Sequence, residues 1–296
     1  MGRQHQGRTG PYRRPLQFDW GQRSTALLHP TGRDRRESKS LSGLGIVTGA
    51  SSGIGRALAR EHARRERDLI LVARREPELN ALAAELRTRY GVTVDVLARD
   101  LTDAGSREEL SDYVNKQGLT VDYLFNNAGF GGTGDFAGQD WGRLSDMIQL
   151  NVVAVTEFMH LFLPGMIERG YGRILNTSST AAFMPGPGQA VYFATKAFVN
   201  SVSKAVAAEV SGSGVTVTAL CPGAVDTGFA ETADMADSLL FKTAGTPEST
   251  ARQGYTAMEA GRLEVITEVG MGMMIKGVLP FTPERLSMAI IKKLQS

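Results

Sequence analysis

From Leu44 onward, short apolar runs alternate with segments of helical period, and this alternation constrains the fold more than any other feature. Leu44–Thr48 is an apolar run, followed by the turn Gly49-Ala50-Ser51-Ser52-Gly53-Ile54-Gly55. Arg56–Arg67 then reads as a helix, with Ala57, Leu58, His62 and Ala63 spaced to face a sheet. Further runs occupy Asp68–Ala73, Val92–Ala98, Tyr123–Phe125, Gly172–Thr177 and Val215–Leu220. Between them the spacing predicts helices over Glu76–Tyr90, Ser106–Gln117, Trp141–Ile167 and Tyr192–Val210. Such alternation demands a doubly wound, mostly parallel β-sheet with helices on both faces.

The 296 residues, 42% of them hydrophobic, suit one large α/β domain or two small ones. The net charge of +2 is unevenly spread. Residues 1–40 hold nine basic and three acidic residues, whereas 41–296 hold 24 and 28. The first forty residues are poor in aliphatics and are expected to form a disordered basic extension, with the folded domain over 41–296. Asp19, Asp34 and Glu37 count against an organelle-targeting role, and nucleic-acid contact by this tail is the lesser alternative. The single cysteine, Cys221, excludes a disulfide framework and suits a reducing, cytoplasmic setting. The four histidines have no ligand-like spacing, so no metal is expected. No uninterrupted apolar run reaches the ~18 residues that span a bilayer.

Ligands of doubly wound sheets bind at the C-terminal ends of the strands, and the chemistry-bearing residues gather there. The glycine turn at 49–55 lets a pyrophosphate approach the free amides of a helix N-terminus. The second run ends Ala73-Arg74-Arg75, with no acid before Glu76. A carboxylate at this point binds the ribose of NAD, whereas a guanidinium pairs with the extra phosphate of NADP, so Arg74 favours NADP(H). Asp100 is placed to cap the next helix or to accept from an adenine amino group. Asn126-Asn127-Ala128-Gly129 allows close backbone approach to a ligand, or forms a simple turn. Asn151, inside an apolar helix, either bonds a neighbouring backbone or holds a water or carbonyl in the site. Ser178-Ser179 ends the fifth run. Tyr192 and Lys196, four residues apart, share one helix face. An ammonium beside a phenol favours phenolate, so the tyrosine pKa is expected to fall from about 10.

These motifs, in this order and at this spacing, resemble the short-chain dehydrogenases/reductases over about Leu44–Thr227. They are Thr48-Gly49-x-x-x-Gly53-x-Gly55, Asn126-Asn127-Ala128-Gly129, Asn151, Ser179, Tyr192-x-x-x-Lys196 and Pro222-Gly223. The resemblance implies a Rossmann-type fold and reversible hydride transfer between NADP(H) and the carbon of a carbonyl or alcohol. It implies that Tyr192 exchanges the proton, Lys196 binds the nicotinamide ribose and lowers the tyrosine pKa, Ser179 bonds the substrate oxygen, and Asn151 holds a relay water. Cofactor contacts are implied for Thr48, Gly49, Ser51, Ser52, Gly53, Ile54 and Gly55, for Asp100 and Leu101, and for Asn127, Ala128 and Gly129. Pro222, Gly223, Val225 and Thr227 after the sixth strand, with Tyr192 and Lys196, complete the set. The family habit also implies a homodimer or homotetramer through the two long helices. A catalytically idle NADP(H)-binding sensor or scaffold is the alternative, disfavoured by the intact proton-handling residues.

The resemblance thins over 228–296. Met235, Leu239, Leu240 and Phe241 lie where the family covers its substrate, and a fairly apolar ketone or ketoacyl-type substrate is expected. Pro247–Gly261 reads as a helix with Ser249, Arg252 and Glu259 exposed, Leu263–Thr267 as a last strand, and Pro283–Leu294 as a final helix. The apolar cluster from Met271 to Phe281 is expected to pack on the protein or on another subunit. A wall for an apolar substrate, or a peripheral membrane contact, are the readings weighed below that.

Overall fold

A computed structural model describes residues 43–227 and 245–295 of the chain. The expected N-terminal extension and the residues Met235, Leu239, Leu240 and Phe241 fall outside the described residues. The elements run in order β1 (Gly45–Thr48), α1 (Gly53–Ala63), β2 (Leu69–Ala73), α2 (Glu76–Tyr90), β3 (Val94–Ala98) and α3 (Ala104–Lys116). Then come β4 (Tyr123–Asn126), α4 (Trp141–Ile148), α5 (Val155–Glu168), β5 (Gly172–Thr177), α6 (Ala190–Glu209) and β6 (Val215–Cys221). After residue 244 follow α7 (Pro247–Glu259), β7 (Glu264–Ile266), α8 (Val269–Met273) and α9 (Glu284–Gln295).

Among the described residues seven strands pair in the order 3-2-1-4-5-6-7, every pair parallel. The order reverses between β1 and β4, so the loops after these two strands diverge and open a crevice. Because side chains alternate across a strand, neighbouring residues feed opposite cores. Val47, Leu71, Phe125 and Leu175 pack under α1, α2 and α7, while Ile46, Ile70, Leu124 and Ile174 pack against α3, α5 and α6. Strands buried on both faces explain why the apolar runs are nearly continuous rather than alternating.

The helix expected over Trp141–Ile167 is interrupted by a π-helical stretch, Gln149–Ala154, that contains the buried Asn151. Its full length, Trp141–Glu168, is long and apolar enough to cross a membrane by length and composition. Here Phe158, Met159 and Met166 are spent on the sheet instead.

At the N-terminal ends of the strands a polar cluster locks α7 onto α1. His62 is fully buried, with Nδ1 2.9 Å from the Tyr255 hydroxyl and Nε2 2.8 Å from the Gly43 carbonyl. Burial, aided by the Arg67 charge, pushes its pKa down to about 3, so the ring is neutral. Arg67 donates to Tyr255 and to Glu259, each at 2.5 Å. Glu259, expected on the surface, is therefore half-buried and ion-paired, because α7 turns it toward Arg67 and Tyr123.

Candidate active site

The glycine turn joins β1 to α1 at the crevice. Gly53 has φ +51°, and a Cβ there would lie 2.8 Å from Thr227 Cγ2. A Cβ on Gly55 would lie 2.3 Å from the Gly49 carbonyl oxygen. Only glycine lets the turn fold this tightly against the helix. Ser52 is the N-cap of α1 and makes no side-chain cap bond, and the first turn carries no acid. The helix N-terminus thus presents amides and a positive dipole end to the crevice, the features that hold a pyrophosphate. Ile54 packs on the adjacent core.

Thr48 fastens the strand ends rather than facing out. Its Oγ1 donates to Phe125 O (3.2 Å) and accepts from the amides of Asn127 (2.9 Å) and Ala128 (3.0 Å). Asn127 Nδ2 donates to Thr48 O (3.1 Å), and Thr177 Oγ1 donates to Asn127 Oδ1 (3.3 Å). Asn126 is core: its Nδ2 donates to Asn176 Oδ1 at 2.9 Å. Ala128 is half-buried, and Gly129 is exposed at the crevice.

Beyond β2, the two arginines divide. Arg74 is largely exposed, with Nη1 3.8 Å from Asp100 Oδ2. Arg75 turns back to the glycine turn, its Nε and Nη2 3.3 and 3.1 Å from Ser51 Oγ. Sequence reasoning gave Arg74 the larger role; the second arginine is the one seated on the turn. Asp100 does not cap α3. Its Oδ1 accepts from Thr102 N (3.0 Å) and Oγ1 (2.9 Å), and Asp103 is the cap, accepting from Ser106 N at 2.7 Å. Leu101 is buried, and its carbonyl accepts from Arg107 at 2.9 Å.

Strand β5 delivers Ser178 and Ser179, and α6 carries Tyr192 and Lys196 back over the same edge. The two serines, indistinguishable by chemistry alone, part here. Ser178 Oγ donates to Lys196 O at 2.8 Å and is shut in. Ser179 caps the 3-10 turn Thr180–Phe183, accepting from Ala181 N at 3.1 Å, and hydrogen-bonds with Tyr192. Lys196 is 5% exposed; its Nζ donates to Thr177 O (2.8 Å) and lies 5.8 Å from the centre of the Tyr192 ring. Burial pushes the Tyr192 pKa up to about 12, with the Ser179 bond pulling the other way, and burial pushes Lys196 down to about 8. The expected fall of the tyrosine pKa is therefore reversed within the protein. Desolvation outweighs an ammonium that is not in direct contact with the phenol.

Asn151 bonds the backbone of Phe130 and the hydroxyl of Thr195. Its Oδ1 accepts from Phe130 N (3.2 Å), and its Nδ2 donates to Phe130 O (3.0 Å) and Thr195 Oγ1 (3.1 Å). Thr195 in turn donates to Tyr192 O at 2.7 Å, so the π stretch is tied to the Tyr192 helix. This is the backbone-bonding alternative of the sequence reading. After β6, Pro222 O accepts from Thr180 N (2.9 Å), and Gly223 N donates to Glu268 Oε2 (2.8 Å). Val225 is buried and bridges to Gly245, and Thr227 lies against Gly53. Glu268 was not foreseen, since a lone acid beyond the last strand carries no sequence signal.

The family model for short chain dehydrogenases matches residues 45–237. The chain is 36% identical over 184 residues to a very-long-chain 3-oxoacyl-CoA reductase of Anas platyrhynchos, covering 60% of this chain and 58% of that protein. It thus spans less than two thirds of that relative. It is 35% identical over 198 residues to an uncharacterized oxidoreductase of Myxococcus xanthus, covering 67% of this chain and 78% of that protein. Among solved structures, a short-chain dehydrogenase from Sphingobium yanoikuyae in complex with NADPH superposes with a TM-score of 0.73 at 29% identity. That match covers 86% of this chain and 96% of the other.

Proposed function

Because the chain belongs to the short-chain dehydrogenase family, we propose that it is an NADPH-dependent reductase of a fairly apolar, ketoacyl-type carbonyl. The observation that carries this reading is the convergence of Ser179, Tyr192 and Lys196 on one strand end beside the glycine turn. The similarity to a 3-oxoacyl-CoA reductase and to a structure holding NADPH supports the substrate class and the cofactor. Ser51, Arg74 and Arg75 supply the donors a 2′-phosphate needs, with no carboxylate between Ala73 and Glu76 to repel it. The nicotinamide supplies the hydride when bound.

In this mechanism Tyr192, neutral at physiological pH, gives its proton to the carbonyl oxygen as negative charge develops there. Ser179 donates a second hydrogen bond to the same oxygen. Lys196, charged below about pH 8, stabilises the tyrosinate left behind and binds the ribose. Asn151, locked to Phe130, holds the π stretch in register for a water that returns the proton. The remaining predicted contacts, from Thr48 through Thr227, shape the nucleotide crevice. The single cysteine of the sequence, which allows no disulfide framework, supports a cytoplasmic location. Exposed Leu161, Ile167 and Phe198 on α5 and α6 support a homodimer or homotetramer.

The test follows NADPH absorbance with a panel of aliphatic, aromatic and acyl ketones. Wild type is expected to turn over at least one, and Tyr192→Phe to lose at least about a hundredfold in kcat. Tight NADPH binding with no turnover on any ketone would instead favour the idle binder.

A further inference from the structure

Arg107 is a cation placed on an apolar helix face. It shares the inner side of α3 with Leu110 and Val114, at helical spacing, and is buried to 3% exposure. Burying a guanidinium is costly, and an apolar side chain of similar volume is often at least as stable in such a place. Packing alone therefore does not account for it. Its donors go to groups outside α3. Nε donates to Glu157 Oε2 at 2.6 Å, in the first turn of α5. Nη1 donates to Leu101 O at 2.9 Å and to Thr102 O at 3.1 Å, both in the loop after β3.

Those carbonyls belong to consecutive trans peptides, so the N–H of each points away from Arg107. On that far side both amides meet one residue. Thr102 N donates to Asp100 Oδ1 at 3.0 Å, and Asp103 N donates to Asp100 O at 3.2 Å. The Thr102 hydroxyl adds a bond to the same Oδ1 at 2.9 Å. The loop is thus clamped between Arg107 on its carbonyl side and Asp100 on its amide side.

The clamp fixes Asp100 Oδ1 and, with it, the direction of Oδ2. Asp103 caps α3, so the Asp100 carboxylate is not spent on the helix. Its side chain is 45% exposed, and Oδ2 lies 3.8 Å from Arg74 Nη1 at the end of β2, too far for a hydrogen bond. An acceptor oxygen is left open to a donor at the adenosine end of the crevice. Resting on the NADP(H) reading above, we propose that Arg107 is a positioning residue for the adenine end of the nucleotide. Through the peptides of Leu101 and Thr102 it aims Asp100 Oδ2 at the adenine amino group. A base with a carbonyl in place of that amine sets acceptor against acceptor and gains nothing from the aim.

The test is fluorescence titration of the full chain with NADPH and with its hypoxanthine analogue, in which a carbonyl replaces the adenine amine. Wild type is expected to bind NADPH about tenfold more tightly than the analogue. Arg107→Met keeps most of the side-chain volume and is expected to lose most of that preference through weaker NADPH binding, with the analogue nearly unchanged. Arg107→Lys is shorter and lacks the planar fork, and is expected to lose about threefold of the preference. It decides the matter where Arg107→Met does not fold. Equal weakening of both nucleotides would make Arg107 a purely structural tie, and an unchanged preference would free Asp100 from its influence; either result overturns the proposal. A wild type that binds both equally well also overturns it and leaves the nucleotide reading in place, whereas one that binds neither removes that reading as well.

Discussion

Lys196 offers a prediction whose sign and size both come from its burial. The residue is 5% exposed, and desolvation holds its pKa at about 8 against an ordinary 10.5. Below about pH 8 the ammonium is charged in both the folded and the unfolded chain, and its burial destabilises the folded state by about 3 kcal/mol. Between about pH 8 and 10.5 the folded chain has released this proton while the unfolded chain keeps it. The unfolded state then binds more protons, so this group makes stability rise with pH across that window. Lys196→Met removes the titration. It also strips the Thr177 carbonyl of its donor, a cost of about 1–3 kcal/mol that does not depend on pH. The absolute stability difference therefore mixes two effects, but its pH dependence isolates one. Urea unfolding of both proteins, without nucleotide, is expected to show the wild type gaining about 3 kcal/mol on the variant between pH 7 and 10.5. Parallel stability curves would refute the burial of a charged Lys196 as the source of its shift.

Two further outcomes bear on the crevice. Arg75→Ala is expected to weaken NADPH binding about tenfold and leave NADH nearly unchanged, with Arg74→Ala no larger in effect, since Arg75 is the one seated on Ser51. Fluorescence titration with both nucleotides checks this, and an equal loss for the two would remove the arginines from phosphate recognition. For Gly55→Ala, helix propensity alone promises a gain of about 1 kcal/mol. The Cβ would meet the Gly49 carbonyl at 2.3 Å, so a lower melting temperature and weakened NADPH binding are expected; a raised melting temperature would show that the turn can yield.

The sheet was legible because both of its faces are covered. Runs such as Leu69–Ala73 carry no polar interruption, and the helices between them keep their period, as over Glu76–Tyr90, where the expected and observed bounds coincide. The break at Asn151 was not legible as a π stretch, since the periodicity of α4 and α5 runs almost unbroken through it. At the site, residue type alone does not tell which polar atoms near a strand end hold the frame. Thr48 Oγ1 and Asn126 Nδ2 bond groups on or just after neighbouring strands, and the cap of α3 is Asp103 rather than Asp100. Spacing alone also gave the wrong direction for the Tyr192 pKa, because four residues along a helix fix proximity but not desolvation.

The parts of the crevice hold one another, and this bears on how its residues should be weighed. Ser178 grips the backbone of Lys196, and Lys196 grips the carbonyl of Thr177, on the strand that carries Ser178. Asn151 grips Phe130 and, through Thr195, the carbonyl of Tyr192. Thr180, next to Ser179, donates to Pro222, whose neighbour Gly223 is held by Glu268. Ser178, Lys196 and Asn151 thus each rest on a backbone group of another segment of the same site. Rotamers fixed in this way keep donors aimed where charge develops, without reorganisation during the reaction. They also mean that losses on removing Ser178, Asn151 or Lys196 will not add, because each change loosens the support of the others. A fall in activity on replacing any one of them therefore measures the shared frame as well as the group removed.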